Sequence, residues 1–98
     1  MVLIINNFGD ILMSRPAGRE AFLMAKAYVF REVKENDEII LDFNGIKVLA
    51  PSWADEFIFG IKKEYSNRVQ YINTENPSVK ATLKIVDSET VSSIATLP

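Results

Sequence analysis

Three observations in the sequence predict an α/β domain, with a mostly parallel central sheet of about 3–5 strands packed with about 3 helices. Ile39, Ile40, Leu41 and Phe43 form a short, nearly continuous apolar run. That is the pattern of a strand with neighbours on both sides and cover on both faces. Helical patterns with start signals at Ser14-Arg15-Pro16, Pro51-Ser52 and Asn76-Pro77 alternate with strand-like runs, giving the order β(β)αβαβα. Strand–helix–strand alternation requires right-handed crossovers between parallel strands.

Taken in order, Val2–Ile5 is a β-favouring run closed by the turn-forming Asn6-Asn7-Phe8-Gly9-Asp10. Ile11–Met13 reads as a second short strand pairing back on the first, or as loop. A long helix follows, roughly Pro16 to Glu35. Phe22, Leu23, Ala25, Val29, Phe30 and Val33 share its apolar arc, and Arg31, Lys34 and Glu35 lie opposite. Lys26 falls inside the apolar arc, as a snorkelling stem with its ammonium in solvent. Met24 and Tyr28 fall on the polar side, either as isolated exposed apolar groups or as a partner or homodimer surface.

Asn36-Asp37 ends that helix and feeds the central strand. Asn44-Gly45 supplies a turn, and Ile46–Leu49 reads as a short apolar link. Pro51 then pre-sets a helical φ, and Ser52 is placed to cap free N–H groups of a helix over 52–66. Ala54, Phe57, Ile58, Ile61 and Tyr65 share its apolar face, while Asp55, Glu56, Lys62 and Lys63 occupy the other. Trp53 stands at the edge of these faces and Phe59 projects among the charges. Gly60 costs helix stability, on the order of 1 kcal/mol relative to Ala, and permits close approach by another backbone. Val69–Asn73 is the next strand. Asn76-Pro77 opens a third helix over 77–88 with Val79, Leu83 and Val86 as its stripe. Val91 to Pro98 is read as a loose tail on a single domain spanning residues 1–98.

Composition narrows the function. With 98 residues, 48% hydrophobic and 24% charged, the chain is an ordinary soluble globular protein. A net charge of −2 argues against a nucleic-acid or anionic-membrane surface. There is no Cys, hence no disulfide, thiolate metal site or Cys nucleophile; there is no His, which removes the Ser-His-Asp arrangement and the usual zinc ligands. The N-terminal apolar run is too short for a signal sequence, and no segment approaches membrane-spanning length. A cytoplasmic protein without cofactor or metal is expected.

Leu41-Asp42-Phe43 followed about ten residues later by a Ser opening a helix resembles the signature of STAS domains. Ser14-Arg15, Leu41-Asp42-Phe43 and Ser52-Trp53-Ala54-Asp55-Glu56 look closer still to the STAS-like family of unknown function. The resemblance runs roughly from Phe8 to Val86. It implies a non-enzymatic regulatory module of bacterial anti-sigma factor antagonist type. Such modules bind an ATPase-like anti-sigma kinase, which phosphorylates a Ser at the start of the helix after the central strand and so breaks the complex. Ser52 falls on that position. The usual motif reads Asp-Ser-Ser/Thr-Gly, whereas this chain has Ala50-Pro51-Ser52-Trp53.

Three readings of the site follow. The leading one is a protein-interaction face made of Ser52, Trp53, Asp55, Glu56 and Phe59, with Ser52 as a phosphorylation site or simply as an N-cap with Asp55 three residues on. The second is a small-ligand or nucleotide sensor at the carboxyl ends of the strands, with Asp42 and Asn73 as ligand groups. Arg15 and Arg19, one turn apart, would bind an anion or remain as solvated charge; Asp42 would bind a ligand or fix the following turn. The third is a structural subunit that dimerises through Met24, Tyr28 or an exposed sheet edge.

Overall fold

The computed structural model describes the backbone of residues 1–95 and the side-chain surroundings of residues 1–88. Five strands and three α-helices occur in the order β1 (Val2–Ile4), β2 (Ile11–Leu12), α1 (Arg15–Met24), β3 (Ile39–Asp42), β4 (Val48–Leu49), α2 (Pro51–Tyr65), β5 (Val69–Ile72) and α3 (Pro77–Ala95). All strand pairing is parallel. One sheet has the order β1-β3-β5, the other pairs β2 with β4. The expected α/β class, parallel sheet and helix number are all present.

The apolar run at Ile39–Phe43 forms the middle strand, with a neighbour on each side as its pattern requires. Among the described residues only one of its faces is covered. Ile39, Leu41 and Phe43 point into the core, with Leu3 beside them, and the helices pack on that side. Ile40 and Asp42 point the other way and are only half-buried.

Two pairings depart from the sequence reading. β2 exists but pairs with β4 and not back on β1: Ile11 faces Val48, and Leu12 faces Leu49. The stretch read as an apolar link therefore contains a strand. Asn76 anchors it. Its Oδ1 accepts from the N–H groups of Ser78 (2.8 Å) and Val79 (3.2 Å), capping α3, while its Nδ2 donates to the carbonyls of Ile46 and Lys47. Thr82, buried in α3, donates to the Leu49 carbonyl at 2.6 Å. Helix α3 runs on to Ala95, past the expected end at Ser88. Side chains of the expected tail, and residues 96–98 altogether, lie outside the described residues.

The first helix explains its own anomalies. Ser14 caps it, with Oγ accepting from the Ala17 N–H at 3.2 Å. Winding then changes: a π-turn spans Ala25–Val29 and a tight 3₁₀ turn spans Phe30–Glu32. The buried positions are Gly18, Ala21, Ala25 and Phe30. The last step is five residues, one π-turn, where an uninterrupted α-helix would have turned residue 28 or 29 inward. Tyr28 is 73% exposed, on the polar side where the sequence pattern puts it. Leu23, expected in the apolar arc, is exposed as well. Lys26 does reach out, pairing with Glu64 at 2.6 Å and lying over the Phe22 ring.

Two glycines set how closely α1 and α2 approach. A Cβ at Gly18 would lie 2.5 Å from the carbonyl oxygen of Trp53, so only glycine fits. A Cβ at Gly60 would meet the Phe22 ring at 3.0 Å, so its neighbour is a side chain and not a backbone.

Candidate functional site

Residues singled out in the sequence converge at the end of the molecule where β2 enters α1 and β4 enters α2. The two parallel strands deliver the two helix starts side by side, which brings Ser14-Arg15 against Ser52–Glu56 although about forty residues separate them. Arg15 forks across the gap, donating to Asp55 Oδ2 at 3.2 Å and Glu56 Oε1 at 3.4 Å. These bonds, Asp55 first, hold the Arg15 guanidinium above its ordinary pKa. Both partners are partly solvated, so the pairing orients more than it stabilises. Asp55 Oδ1 is shielded from solvent and accepts no hydrogen bond.

Ser52 is not the helix cap. Pro51 occupies the first helical position, Ala50 precedes it with extended backbone, and no side chain caps α2. Pro51 has no N–H to satisfy, so the cap matters less there. The Ser52 hydroxyl instead donates to the main-chain carbonyl of Met13 at 2.8 Å. It thereby ties the exit of β2 to the start of α2. Its side chain is half-buried beside the Arg15 cluster.

Trp53 does not belong to a contact face. It is 1% exposed, with its ring stacked on Phe57 (4.7 Å between centroids, 24° between planes) and Phe8 tilted against both. Its Cα lies under Gly18. The physical reason is the close helix pair: with no side chain at position 18, α1 sits down onto the first turn of α2 and buries the indole. Phe59 is half-buried, packed against the core with Lys63 over its ring. Asp55 and Glu56 remain at the surface, but committed to Arg15.

The anion-binding reading of Arg15 and Arg19 is corrected in the same way. Arg15 is neutralised by two carboxylates, and Arg19 is exposed and forms no ion pair among the described residues. Asp42 and Asn73 do meet. Asp42 Oδ1 accepts from Asn73 Nδ2 at 2.8 Å and from the Asn44 N–H at 2.9 Å. The Asn73 bond, then the Asn44 bond, lowers the Asp42 pKa. Asn73 itself adopts left-handed backbone, φ 57°. The bond joins the turns that leave β3 and β5, which is the turn-fixing role.

What sequence reasoning missed is a groove. Ile11, Met13, Ala17, Glu20 and Met24 line a groove of ≈370 Å³ between β2 and α1, with Trp53 in its wall and Ser14 at one end. Ile11, Met13 and Met24 are each more than half exposed. Met24 was the single signal available, as an apolar residue on the polar arc. Ile11 and Met13 were hidden because the face of a two-residue strand cannot be read without its partner.

Among the described residues there is no cluster of acidic, His or Cys side chains able to hold a metal, and no helix long and apolar enough to cross a membrane.

The family model for the STAS-like domain of unknown function (DUF4325) matches residues 25–79. That interval holds Leu41-Asp42-Phe43 and Ser52–Glu56 but not Ser14-Arg15, and is shorter than the resemblance read from Phe8 to Val86. No curated protein and no solved structure gives a significant match. With more than half its length in that match, and with parallel strands feeding helices on one side of the sheet, the chain belongs to the STAS-like domain family.

Proposed function

We propose that this domain is a non-enzymatic regulatory module that binds a protein partner at the end of the molecule holding Ser52 and the β2–α1 groove. The observation that carries the reading is the grouping of exposed Ile11, Met13 and Met24 around a groove directly beside the Ser52–Met13 bond. Clustered exposed apolar groups with a polar rim are the usual mark of a protein-binding surface. Ser52, Asp55 and Glu56, with the edge of Phe59, form the polar side of that surface; Trp53 supports it from beneath.

The partner class follows from the family resemblance: an ATPase-like protein kinase, acting in the cytoplasm. If such a kinase transfers the γ-phosphoryl group of ATP to the Ser52 oxygen, the hydroxyl proton is lost and the bond to Met13 goes with it. About two negative charges then stand at the rim of the groove, where the start of α2 tolerates them. The charge changes the surface and leaves the helix intact. Capture by Met24→Glu and Ile11→Glu baits tests the reading: both fold, and both lose the partner that wild type retains.

A further inference from the structure

The outward face of the β1-β3-β5 sheet has no covering layer among the described residues. Parallel register aligns Val2 with Ile40 and Gln70, and Ile4 with Asp42 and Ile72. Side chains of these two rows point away from the helices, since their strand neighbours Leu3, Ile39 and Leu41 are buried in the core. Val2 is 54%, Ile4 47% and Ile72 40% exposed. Parallel sheets ordinarily have both faces covered, and Ile39–Phe43 reads in sequence as a strand covered on both. The face is thus apolar where no described residue covers it.

Its size and charge select the occupant. Three strands about 4.8 Å apart and four residues long at about 3.3 Å each give a face of roughly 200 Å². A stable interface with any globular partner, a second copy included, buries about 800 Å² on each side, more than this face offers. One helix, about 10 Å across, matches the footprint. The side-chain charges on the face, Asp42 and Glu38, are acidic, and the Met1 ammonium is the cation at its edge. Asp42 stands between Ile4 and Ile72, with Oδ1 held by Asn73 and Asn44 and Oδ2 bonded to no donor among the described residues. Glu38 lies two residues before Ile40 on the same alternation and is exposed, with the Met1 ammonium on its carbonyl at 2.7 Å. None of these outward side chains is basic.

We infer that this face binds one amphipathic helix of a partner protein, with its apolar stripe on Val2, Ile4, Ile40 and Ile72 and a lysine or arginine beside the stripe reaching Asp42. The site is separate from the groove and does not depend on the function proposed for it.

The test uses the full chain labelled at the Ile methyl groups and two designed helical peptides of identical spacing, one of Leu and Lys, one of Leu and Glu. The Leu/Lys peptide shifts the methyl signals of Ile4, Ile40 and Ile72 and leaves Ile39, Ile58 and Ile61 in place. Val2→Lys and Ile72→Lys each weaken it by roughly tenfold or more, like charges facing each other being costly; unchanged core methyl signals show that both variants are folded. The inference is overturned by an absent response to the Leu/Lys peptide, by an equal response to the Leu/Glu peptide, or by shifts confined to Ile11 in the groove. It is overturned equally if sedimentation shows a dimer that Val2→Lys dissociates, because the occupant is then a second copy.

Discussion

The carbonyl oxygen of Trp53 lies 2.5 Å from where a Cβ on Gly18 would stand. Helix α1 is thereby set onto the first turn of α2, and the indole is closed into the core. Gly18→Ala forces backbone apart, and overpacking of this kind typically costs about 1–3 kcal/mol. Gly60→Ala meets only the Phe22 ring, which can shift, and gains helix propensity of about 1 kcal/mol in return. Urea unfolding of the two variants will show Gly18→Ala destabilised and Gly60→Ala close to wild type; equal losses would remove the account of the helix contact.

Trp53→Ala removes a fully buried ring stacked on Phe57, a change that costs about 3–5 kcal/mol. Its near-ultraviolet dichroism and thermal midpoint should collapse together. A Trp53→Ala protein with wild-type stability would restore the indole to the contact face.

Which parts of this were legible in sequence follows from the range of the signals. The Ile39–Phe43 run and the Asn76-Pro77 start depend on neighbours within a few residues, and both are where their patterns put them. Trp53 was ambiguous because its burial depends on Gly18, a residue on another helix with no pattern of its own. β4 is two residues long, shorter than any periodicity, and is held by distant partners: β2 beside it and Ser78 and Thr82 of α3 on Leu49. The π-turn at Ala25–Val29 left a trace, in Lys26 falling on the apolar arc of an ideal wheel, but a wheel of constant pitch offers no way to name the cause. Ser52 was misassigned as a cap because its true acceptor, the Met13 carbonyl, lies across a fold junction.

Ser52→Ala deletes the bond to Met13 and should cost about 0.5–1.5 kcal/mol. Ser52→Asp loses the same donor but places a carboxylate in the first turn of α2, where the helix dipole favours it. Thermal unfolding will rank wild type first, with Ser52→Asp no less stable than Ser52→Ala. An Ala variant as stable as wild type would mean the junction is held without that bond.

Two groups shape the pH limits of stability. The Asp42 pKa is lowered in the folded state by Asn73 and the Asn44 N–H. Its contribution is present above the unfolded value, about 3.9, and is lost as pH falls through the folded one. Tyr71 behaves oppositely: burial, then its hydroxyl donating to Asp87 at 2.9 Å, raises its pKa. Its contribution is complete below about 10 and is lost as pH rises beyond that. Tyrosinate absorbance should show Tyr71 ionising late, with unfolding. Asp42→Asn should flatten the acid limb. A Tyr71 that ionises at the ordinary tyrosine value in a folded protein contradicts the burial argument.

Affinity capture from lysate of the source cell, with wild type, Met24→Glu, Ile11→Glu and Val2→Lys as baits, tests the interaction reading most directly. The account predicts an ATPase-fold protein enriched by wild type and by Val2→Lys, and lost from both groove variants. The same protein retained by folded Met24→Glu and Ile11→Glu, or no ATPase-fold protein on any bait, would contradict it.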